Sequence, residues 1–463
     1  MILKRYFVNG LAHASYLIGD GSEAAVVDPK RDIGDYIADA AAAGMRIVAI
    51  FNTHPHADFV SGFAELAEQT TAQIYTSHLA PTSYEHIAAK HGDKVALGGL
   101  EVELLETPGH SPDSLSFLVR EQGTPKVVFT GDLLFVNDVG RPDLRDTDEA
   151  PSALADKLYA SLFDKILTLP DEVKIYPAHG AGSLCGRAIS SAPFSTVAEE
   201  KANNWAAQIT DREEFVKQMV SNLPTRPPYF NYDVGINLAG AMPLTALPTL
   251  EALSADQLRK SGEDGAIIID TRSAPLFGAG HVPGSLNIGL GSPMFSTWVG
   301  FLVPGGTPIA FVVESPEDVT RAQLELARIG FDHIVGYLDP TSIAETATIP
   351  QLSVCDLRSQ LDDDNPPNVL DVRTPNEWTN AHIAKAKSIP LPELPNRLAE
   401  IPKEQAVAVI CGSGYRSSIA ASLLQANGVL RLQNVTGGMS EFLEKDCPQM
   451  KPADLVFHDS ACN

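Results

Sequence analysis

An apolar run at residues 47–51 reads as a buried strand and delivers Asn-Thr-His-Pro-His-Ala-Asp-Phe at residues 52–59. His54, His56 and Asp58 thus alternate at the mouth of a strand. Imidazole and carboxylate groups at that spacing, on backbone that a sheet holds rigid, are a metal-ligand signature. Three more strands end in the same way: Thr107-Pro108-Gly109-His110, Thr130-Gly131-Asp132 and Pro177-Ala178-His179-Gly180. A lone histidine is more often a satisfied polar side chain than a ligand, but four such endings in one stretch point to a metal centre. A second kind of chemistry stands near the other end. The strand at 406–410 runs into Cys411-Gly412-Ser413-Gly414-Tyr415-Arg416-Ser417, and a helical pattern follows. A thiol at a Gly-rich turn that opens a helix meets converging backbone N–H groups, the helix dipole and Arg416, all of which favour a thiolate. A phosphate-cradling Cys-x5-Arg loop would need arginine at 417, where serine stands. The tighter loop suits a smaller ligand than phosphate.

These groups must be carried by alternating strands and helices. Residues 14–18, 24–27, 102–105, 114–119, 126–129 and 173–176 read as strands, and 33–43 as an amphipathic helix ending at Gly44. Residues 223–248 are rich in proline and without strong periodicity, and read as a linker or a packed arm. An internal repeat follows. Ile-Ile-Ile-Asp-Thr-Arg at 267–272 matches Val-Leu-Asp-Val-Arg at 369–373, and His281 and His382 stand at the same distance beyond Asp270 and Asp371. Each copy continues as an extended segment, an apolar strand, a polar loop, a helix and a closing strand. The first copy has Glu314-Ser-Pro-Glu-Asp318 where the second has the cysteine loop, so it carries no sulfur nucleophile. The expected division is 1–222, a linker at 223–248, and repeats at 249–347 and 348–463.

Bulk properties exclude several classes. Of 463 residues, 34 are Lys or Arg and 58 Asp or Glu, for a net charge of −24. Nucleic acid and anionic membrane surfaces are therefore not expected as partners. The five cysteines, Cys185, Cys355, Cys411, Cys447 and Cys462, are widely spaced and odd in number, which predicts free thiols and a reducing compartment. No apolar run approaches the ~20 residues of a membrane span, and the expected location is the cytoplasm.

The ordered ligand series over residues 1 to about 220 resembles the metallo-β-lactamase superfamily, which implies an αββα sandwich with the metal at one edge. Asp-x-Arg with its distant histidine, and the Cys411 loop, resemble the rhodanese family. That implies two α/β domains with parallel sheets, the second with Cys411 as persulfide carrier, Arg416 beside it and Gly412, Ser413, Gly414 and Tyr415 as the cradle. The paired Asp and Arg are read as structural anchors. The second copy departs from the common pattern in lacking glycines around His382.

Two metal sites fit the ligand loops. A dinuclear zinc thioester hydrolase of the glyoxalase II kind would use His54, His56 and His110 for one ion, and Asp58, a histidine at 59 and His179 for the other, with Asp132 bridging. Phe59 cannot ligate. What remains is His54, His110 and Asp132, two histidines and a carboxylate with open positions opposite, the set of a non-haem Fe(II) oxygenase. Asp138-Val-Gly-Arg-Pro-Asp-Leu144 and His179-Gly-Ala-Gly-Ser-Leu-Cys-Gly186 resemble segments of the persulfide dioxygenases, so the whole chain is similar to persulfide dioxygenase–rhodanese fusions. The resemblance implies one Fe(2+) per chain on His54, His110 and Asp132, with His56, Asp58 and His179 standing behind them. Arg141 would either meet the anionic substrate or anchor its loop on Asp143. It implies a low-molecular-weight persulfide and O2 as substrates, and sulfite or thiosulfate as small-molecule partners of Cys411. A homo-oligomer is compatible with the sequence.

Overall fold

The structure is a computed structural model; it describes residues 1–221, 223–444, 447 and 455–457, so Cys462 lies outside the described residues. The chain divides into two compact units, Met1–Pro248 with Leu324–Asp332, and Thr249–Gln323 with His333–Asn463.

The first unit is built on two six-stranded sheets. One runs in chain order through Ile2–Val8, His13–Asp20, Glu23–Val27, Arg46–Phe51, Gln73–Ser77 and Ile87–Ala89. The other is ordered Ser195–Thr196, Lys174–Pro177, Thr124–Gly131, Leu115–Glu121, Leu100–Glu106 and Lys94–Leu97. Their facing sides share a core of Tyr16, Ile18, Phe51, Leu104, Phe117, Val119 and Phe129, the alternate inward residues of each strand. Helices Gly34–Ala42 and Phe63–Thr70 cover the outside of the first sheet through Tyr36, Phe63 and Leu66. Helices Pro151–Ser161 and Arg212–Met219 cover the second through Leu154's neighbours Ala155 and Leu158 and through Phe215. The result is the expected four-layer αββα sandwich.

Strand pairing sets where the ligand loops begin. Val27 pairs with Phe51 and Gly131 with Pro177, both in parallel ladders, so Asp28, the 52–59 loop, Asp132 and His179 leave at one edge. Backbone bonds tie the two sheets together there: Leu115 N–H donates to Thr53 O (2.7 Å) and Ala14 N–H to Ala178 O (2.7 Å).

The Pro-rich stretch holds a helix, Phe230–Ala239, that packs on this edge. Its Asn237 is buried; Nδ2 donates to the carbonyls of His56 (2.8 Å) and Phe59 (2.7 Å), and Oδ1 accepts from Ser61 N–H (2.9 Å). Proline breaks at both ends hid the helix from periodicity. Asn237→Ala leaves three buried backbone groups without partners, so urea unfolding is expected to show a loss of about 2–3 kcal/mol.

The second unit contains both repeats. The first sheet is ordered Leu286–Asn287, Ile267–Asp270, Ile309–Val312, Ile334–Leu338, with every pair parallel. The second repeats this order as Lys387–Ser388, Asn368–Asp371, Val407–Ile410, Leu432–Val435, and adds Gln351–Leu352 at the far edge. The repeated Asp and Arg are structural in both copies. Arg272 grips Asp270 and Gly280 O, and Arg373 grips Asp371 and Ala381 O. His281 stacks on Phe277 at 3.6 Å and His382 on Trp378 at 3.7 Å. Gly284 takes φ +81° after His281, and Lys385 takes φ +63° at the equivalent place after His382. The glycine-free second copy keeps the turn at a backbone cost of about 1–2 kcal/mol.

The expectation of unpaired thiols does not hold. Cys355, in the first turn of helix Val354–Leu361, forms a disulfide with Cys447, 92 residues away in sequence, with Cα atoms 5.6 Å apart. Wide spacing gave no sign of a contact that only the closing of the domain creates, and the cysteine argument for a reducing compartment falls with it. Cys185 and Cys411 are free. Among the described residues, no helix is long and apolar enough to cross a membrane.

Candidate metal centre and sulfur loop

The four strand endings converge. His54, His110 and Asp132 are buried and place one ligand atom each within 4.8 Å of one another. Asp132 Oδ2 is 3.9 Å from His54 Nε2 and 3.6 Å from His110 Nε2. Two metal–ligand bonds of about 2.1 Å span up to about 4.2 Å, so both distances from Asp132 suit a shared ion.

The hydrogen bonds behind these atoms decide their protonation. His110 Nδ1 faces Arg141 O at 2.9 Å, which only accepts, so Nδ1 carries the proton and Nε2 a lone pair. Thr53 Oγ1 gives its proton to Asp28 Oδ2 (2.9 Å) and therefore accepts from His54 Nδ1 (3.0 Å), freeing His54 Nε2. Burial, first of all, lowers the pKa of both rings, which favours the neutral imidazole that a metal would need. His54 Nε2 and Asp132 Oδ2 have no hydrogen-bond partner although both are buried. Unpaired lone pairs in a buried cluster are costly unless a cation takes them, so the donor set fits a resident metal. Gly140 is required beside them: a Cβ there would lie 1.9 Å from Asp132 O and 3.0 Å from His110 Nδ1.

His179 lies beside this group. Its Nδ1 donates to Asp132 Oδ1 (2.8 Å) and its Nε2 lies 2.7 Å from Asp58 Oδ2. The Asp132 contact is a hydrogen bond; the Asp58 contact is a close ion pair, and Nε2 has no hydrogen-bond partner. Burial works against the charge, but the carboxylates of Asp132 and Asp58 outweigh it and hold His179 protonated well above the ordinary imidazole range. His56 Nε2 lies 3.3 Å from Asp28 Oδ1. His56 with Asp132 and His179, and Asp58 with His179 and Cys185, also form compact ligand groups. Phe59, fully buried, packs in tilted contact with His13 (ring centroids 3.7 Å apart) and His56 (4.4 Å).

Arg141 is buried, and its guanidinium makes only internal bonds: two to Asp143 (3.0 and 2.8 Å), one to Leu184 O and one to Pro224 O. It braces the loop whose carbonyl orients His110. Sequence reasoning passed over Arg145. Its Nη1 donates to Asp113 Oδ1 at 2.6 Å, its Nε is buried without a partner, and its charge acts on both His54 and His110. His13 was also missed; both of its ring nitrogens are buried without partners beside the cluster. Neither position belongs to a ligand-spaced motif, so only the fold exposes them.

In the second unit, Cys411 ends the strand Val407–Ile410 and is buried. Gly414 N–H donates to its sulfur at 3.1 Å, and Ser417 Oγ lies at 3.4 Å. Gly414 sits at φ +99°, which turns the chain into helix Tyr415–Ala426 and lets its N–H face the thiol. Arg416 is not a free cation: Nη1 and Nη2 donate to Glu377 at 2.7 and 2.6 Å. Burial raises the Glu377 pKa, but the Arg416 and Thr374 contacts outweigh it and push it down to about 2. The folded chain thus binds this proton more weakly than the unfolded one. The pair's stabilisation is complete above the unfolded carboxyl pKa of about 4.3 and is lost as pH falls toward 2. Glu377→Gln should lower the thermal midpoint near neutral pH, and its difference from the unmodified chain should shrink between pH 4 and 2 in a calorimetric series.

Comparison with known proteins agrees with this geometry. The metallo-beta-lactamase superfamily model matches residues 8–179, and the rhodanese-like domain model matches residues 254–340 and 353–445. The mitochondrial persulfide dioxygenase ETHE1 of Bos taurus is 31% identical over 244 residues, 51% of this chain and 88% of that protein. The hydroxyacylglutathione hydrolase of Francisella tularensis subsp. novicida (strain U112) is 35% identical over 183 residues, 39% of this chain and 68% of that protein. The crystal structure of a metallo-beta-lactamase from Staphylococcus aureus subsp. aureus COL superposes with a TM-score of 0.65 at 31% identity, covering 73% of this chain and 98% of the other. The chain belongs to the metallo-beta-lactamase superfamily, as a fusion in which a domain related to persulfide dioxygenases precedes two rhodanese-like domains.

Proposed function

We propose that the first unit is a non-haem iron persulfide dioxygenase that oxidises a low-molecular-weight persulfide such as glutathione persulfide, and that Cys411 is the nucleophile of a sulfurtransferase. The observation that carries the first part is the division of labour among the buried groups. His54 Nε2, His110 Nε2 and Asp132 Oδ2 face one point, while His179 is held between Asp58 and Asp132.

One Fe(II) on His54, His110 and Asp132 would supply the redox capacity to move both atoms of O2 onto the terminal sulfur, which zinc lacks. The chain's own groups prepare that chemistry. Arg141 O and Thr53 Oγ1 fix the two imidazoles by their Nδ1 protons. The His179 imidazolium holds Asp132 Oδ1 and so directs Oδ2 inward. Asp58 holds His179 from behind. Such supporting bonds raise metal affinity and keep the ligands in place. The reaction balances as persulfide, O2 and water giving thiol, sulfite and two protons.

Cys411 attacks the outer sulfur of thiosulfate or of a persulfide. A new S–S bond forms on Cys411 as sulfite or a thiolate leaves, and the reverse step returns sulfur to sulfite as thiosulfate. The Gly414 N–H aimed at Sγ supports negative charge on the thiolate in either direction.

A zinc thioester hydrolase fused to a sulfurtransferase is the second reading. The group His56, Asp132 and His179 and the likeness to hydroxyacylglutathione hydrolase favour it. Oxygen-electrode and sulfite measurements on anaerobically purified protein separate the two. The dioxygenase reading expects equal consumption of O2 and glutathione persulfide with sulfite formed; hydrolysis of S-lactoylglutathione without O2 uptake would overturn it.

A further inference from the structure

A cavity of about 620 Å³ opens on the first repeat, within the second unit, and is walled by aliphatic side chains that include Leu258, Ile268, Val282, Leu338 and Ile343. The second repeat shows what closes the same face there. Strand pairing fixes the correspondence: Ile268 pairs with Ala310 and Asp270 with Val312 in the first copy, as Val369 pairs with Ala408 and Asp371 with Ile410 in the second. Leu258 and Leu357 hold the same place in their helices, counted from the capping serines Ser254 and Ser353. In the second copy the face is covered by helix Gly438–Glu444, which buries Met439 and Phe442 in one core with Leu357, Ala408, Ile410 and Val435.

The first copy lacks that helix. Its closing strand ends at Leu338, and by Ala347 the chain is already paired with His281. The second copy runs from Val435 to Val456 before it pairs with His382, and the helix lies between. The residues that meet the helix in the second copy have counterparts that line the cavity in the first. Cys355, Arg358 and Leu361 correspond to Asp256, Arg259 and Gly262. Arg358 lays its guanidinium over the Phe442 ring at 4.3 Å and donates to the Phe442 carbonyl. Arg259 pairs instead with the exposed carboxylates of Asp256 (3.6 Å) and Glu263 (2.5 Å). Glycine in place of Leu361 widens the groove. At its rim Glu345 is exposed, and among the described residues it makes no ion pair or side-chain hydrogen bond. An open aliphatic groove of this kind marks an interaction site.

We infer that this groove docks an amphipathic helix of a partner protein, one that presents a methionine-like and an aromatic side chain three residues apart and a basic residue toward Glu345. The visiting helix takes the place that Gly438–Glu444 takes in the second repeat, with its aromatic ring under the Arg259 guanidinium. The strands and the first helix of this face are duplicated in the chain, and the missing element is a short helix with two apolar anchors, so a helix of that kind has the shape to fill the gap. A small apolar molecule would match the aliphatic walls but not Arg259 and Glu345. A second copy cannot offer its own Gly438–Glu444, whose anchors are buried in their own core. The cysteine-less repeat is thus a receptor for another protein, on a face that does not include the Cys411 loop.

The test titrates the full chain into a fluorescein-labelled peptide with the sequence of residues 436–445, which carries both anchors and ends in lysine, and reads anisotropy. Saturable binding is expected. Alanine in place of the peptide's phenylalanine should weaken it about ten-fold or more. Arg259→Glu in the chain should weaken it about ten-fold. Ala344→Trp, which sets an indole into the groove from its exposed rim, should abolish it. An unchanged thermal midpoint identifies both variants as folded. No saturable binding, or binding that neither the alanine peptide nor Ala344→Trp alters, would overturn the inference. Two further results would overturn it by naming another occupant. One is uptake of anilinonaphthalene sulfonate, lost in Ala344→Trp, with no peptide binding, which would mean a small apolar ligand. The other is self-association in sedimentation that Ala344→Trp abolishes, which would mean a second copy on this face.

Discussion

His110→Ala is expected to abolish sulfite formation from glutathione persulfide, by about a thousand-fold or more, and to lower bound metal in parallel. A support residue behind a metal ligand is worth about 10–100-fold in affinity or activity, and on the proposed reading His110 is itself a ligand, in one compact group with His54 and Asp132. The loss has two parts. The imidazole is removed, and the Arg141 carbonyl that held its Nδ1 proton is left unpaired next to Gly140. His179→Asn should fall in the lower range, because Asp132 would keep its place in the cluster but lose its charged support. A His179 variant as damaging as the His110 variant would mean that His179 binds metal itself. Metal analysis and an oxygen electrode on the two proteins side by side give that ordering.

Cys411→Ser is expected to have the opposite profile. Sulfur transfer from thiosulfate to cyanide should vanish, since a hydroxyl neither ionises near neutral pH nor carries sulfane sulfur. Sulfite production from glutathione persulfide should stay within about two-fold of the unmodified chain, because the proposed metal ligands all belong to the first unit. The serine keeps the size of the buried side chain and the Gly414 N–H contact, so the fold is not expected to suffer. Loss of both activities in this variant would show that the two chemistries are one, and would contradict their separation.

The parts legible in the sequence were those written in local patterns. The strand that runs into His54 spans Arg46–Phe51, and the later ligand strands were placed within a few residues of their observed bounds. Periodicity and small residues at strand ends are enough for that. The repeat was legible for the same reason, and the reading of its Asp and Arg as structural fits the Arg373–Asp371 bond. What stayed hidden was long-range pairing. Nothing near Asn237 says that it holds the carbonyls of His56 and Phe59. Nothing near Arg416 says that Glu377, 39 residues earlier, takes its charge. The Cys355–Cys447 bridge is of the same kind, and the cysteine count pointed the wrong way. Phe59 lies between these cases. Its inability to ligate was plain from its type, but its packing against His13 is a fact of the fold.

The central claim is that the cluster holds one redox-active ion. Metal analysis of the anaerobically purified full chain, expressed with iron and zinc both supplied, tests it most directly. The account predicts one iron per chain, lost in His110→Ala and retained in Cys411→Ser. Two zinc ions per chain, with His56 and His179 needed to hold the second, would contradict it.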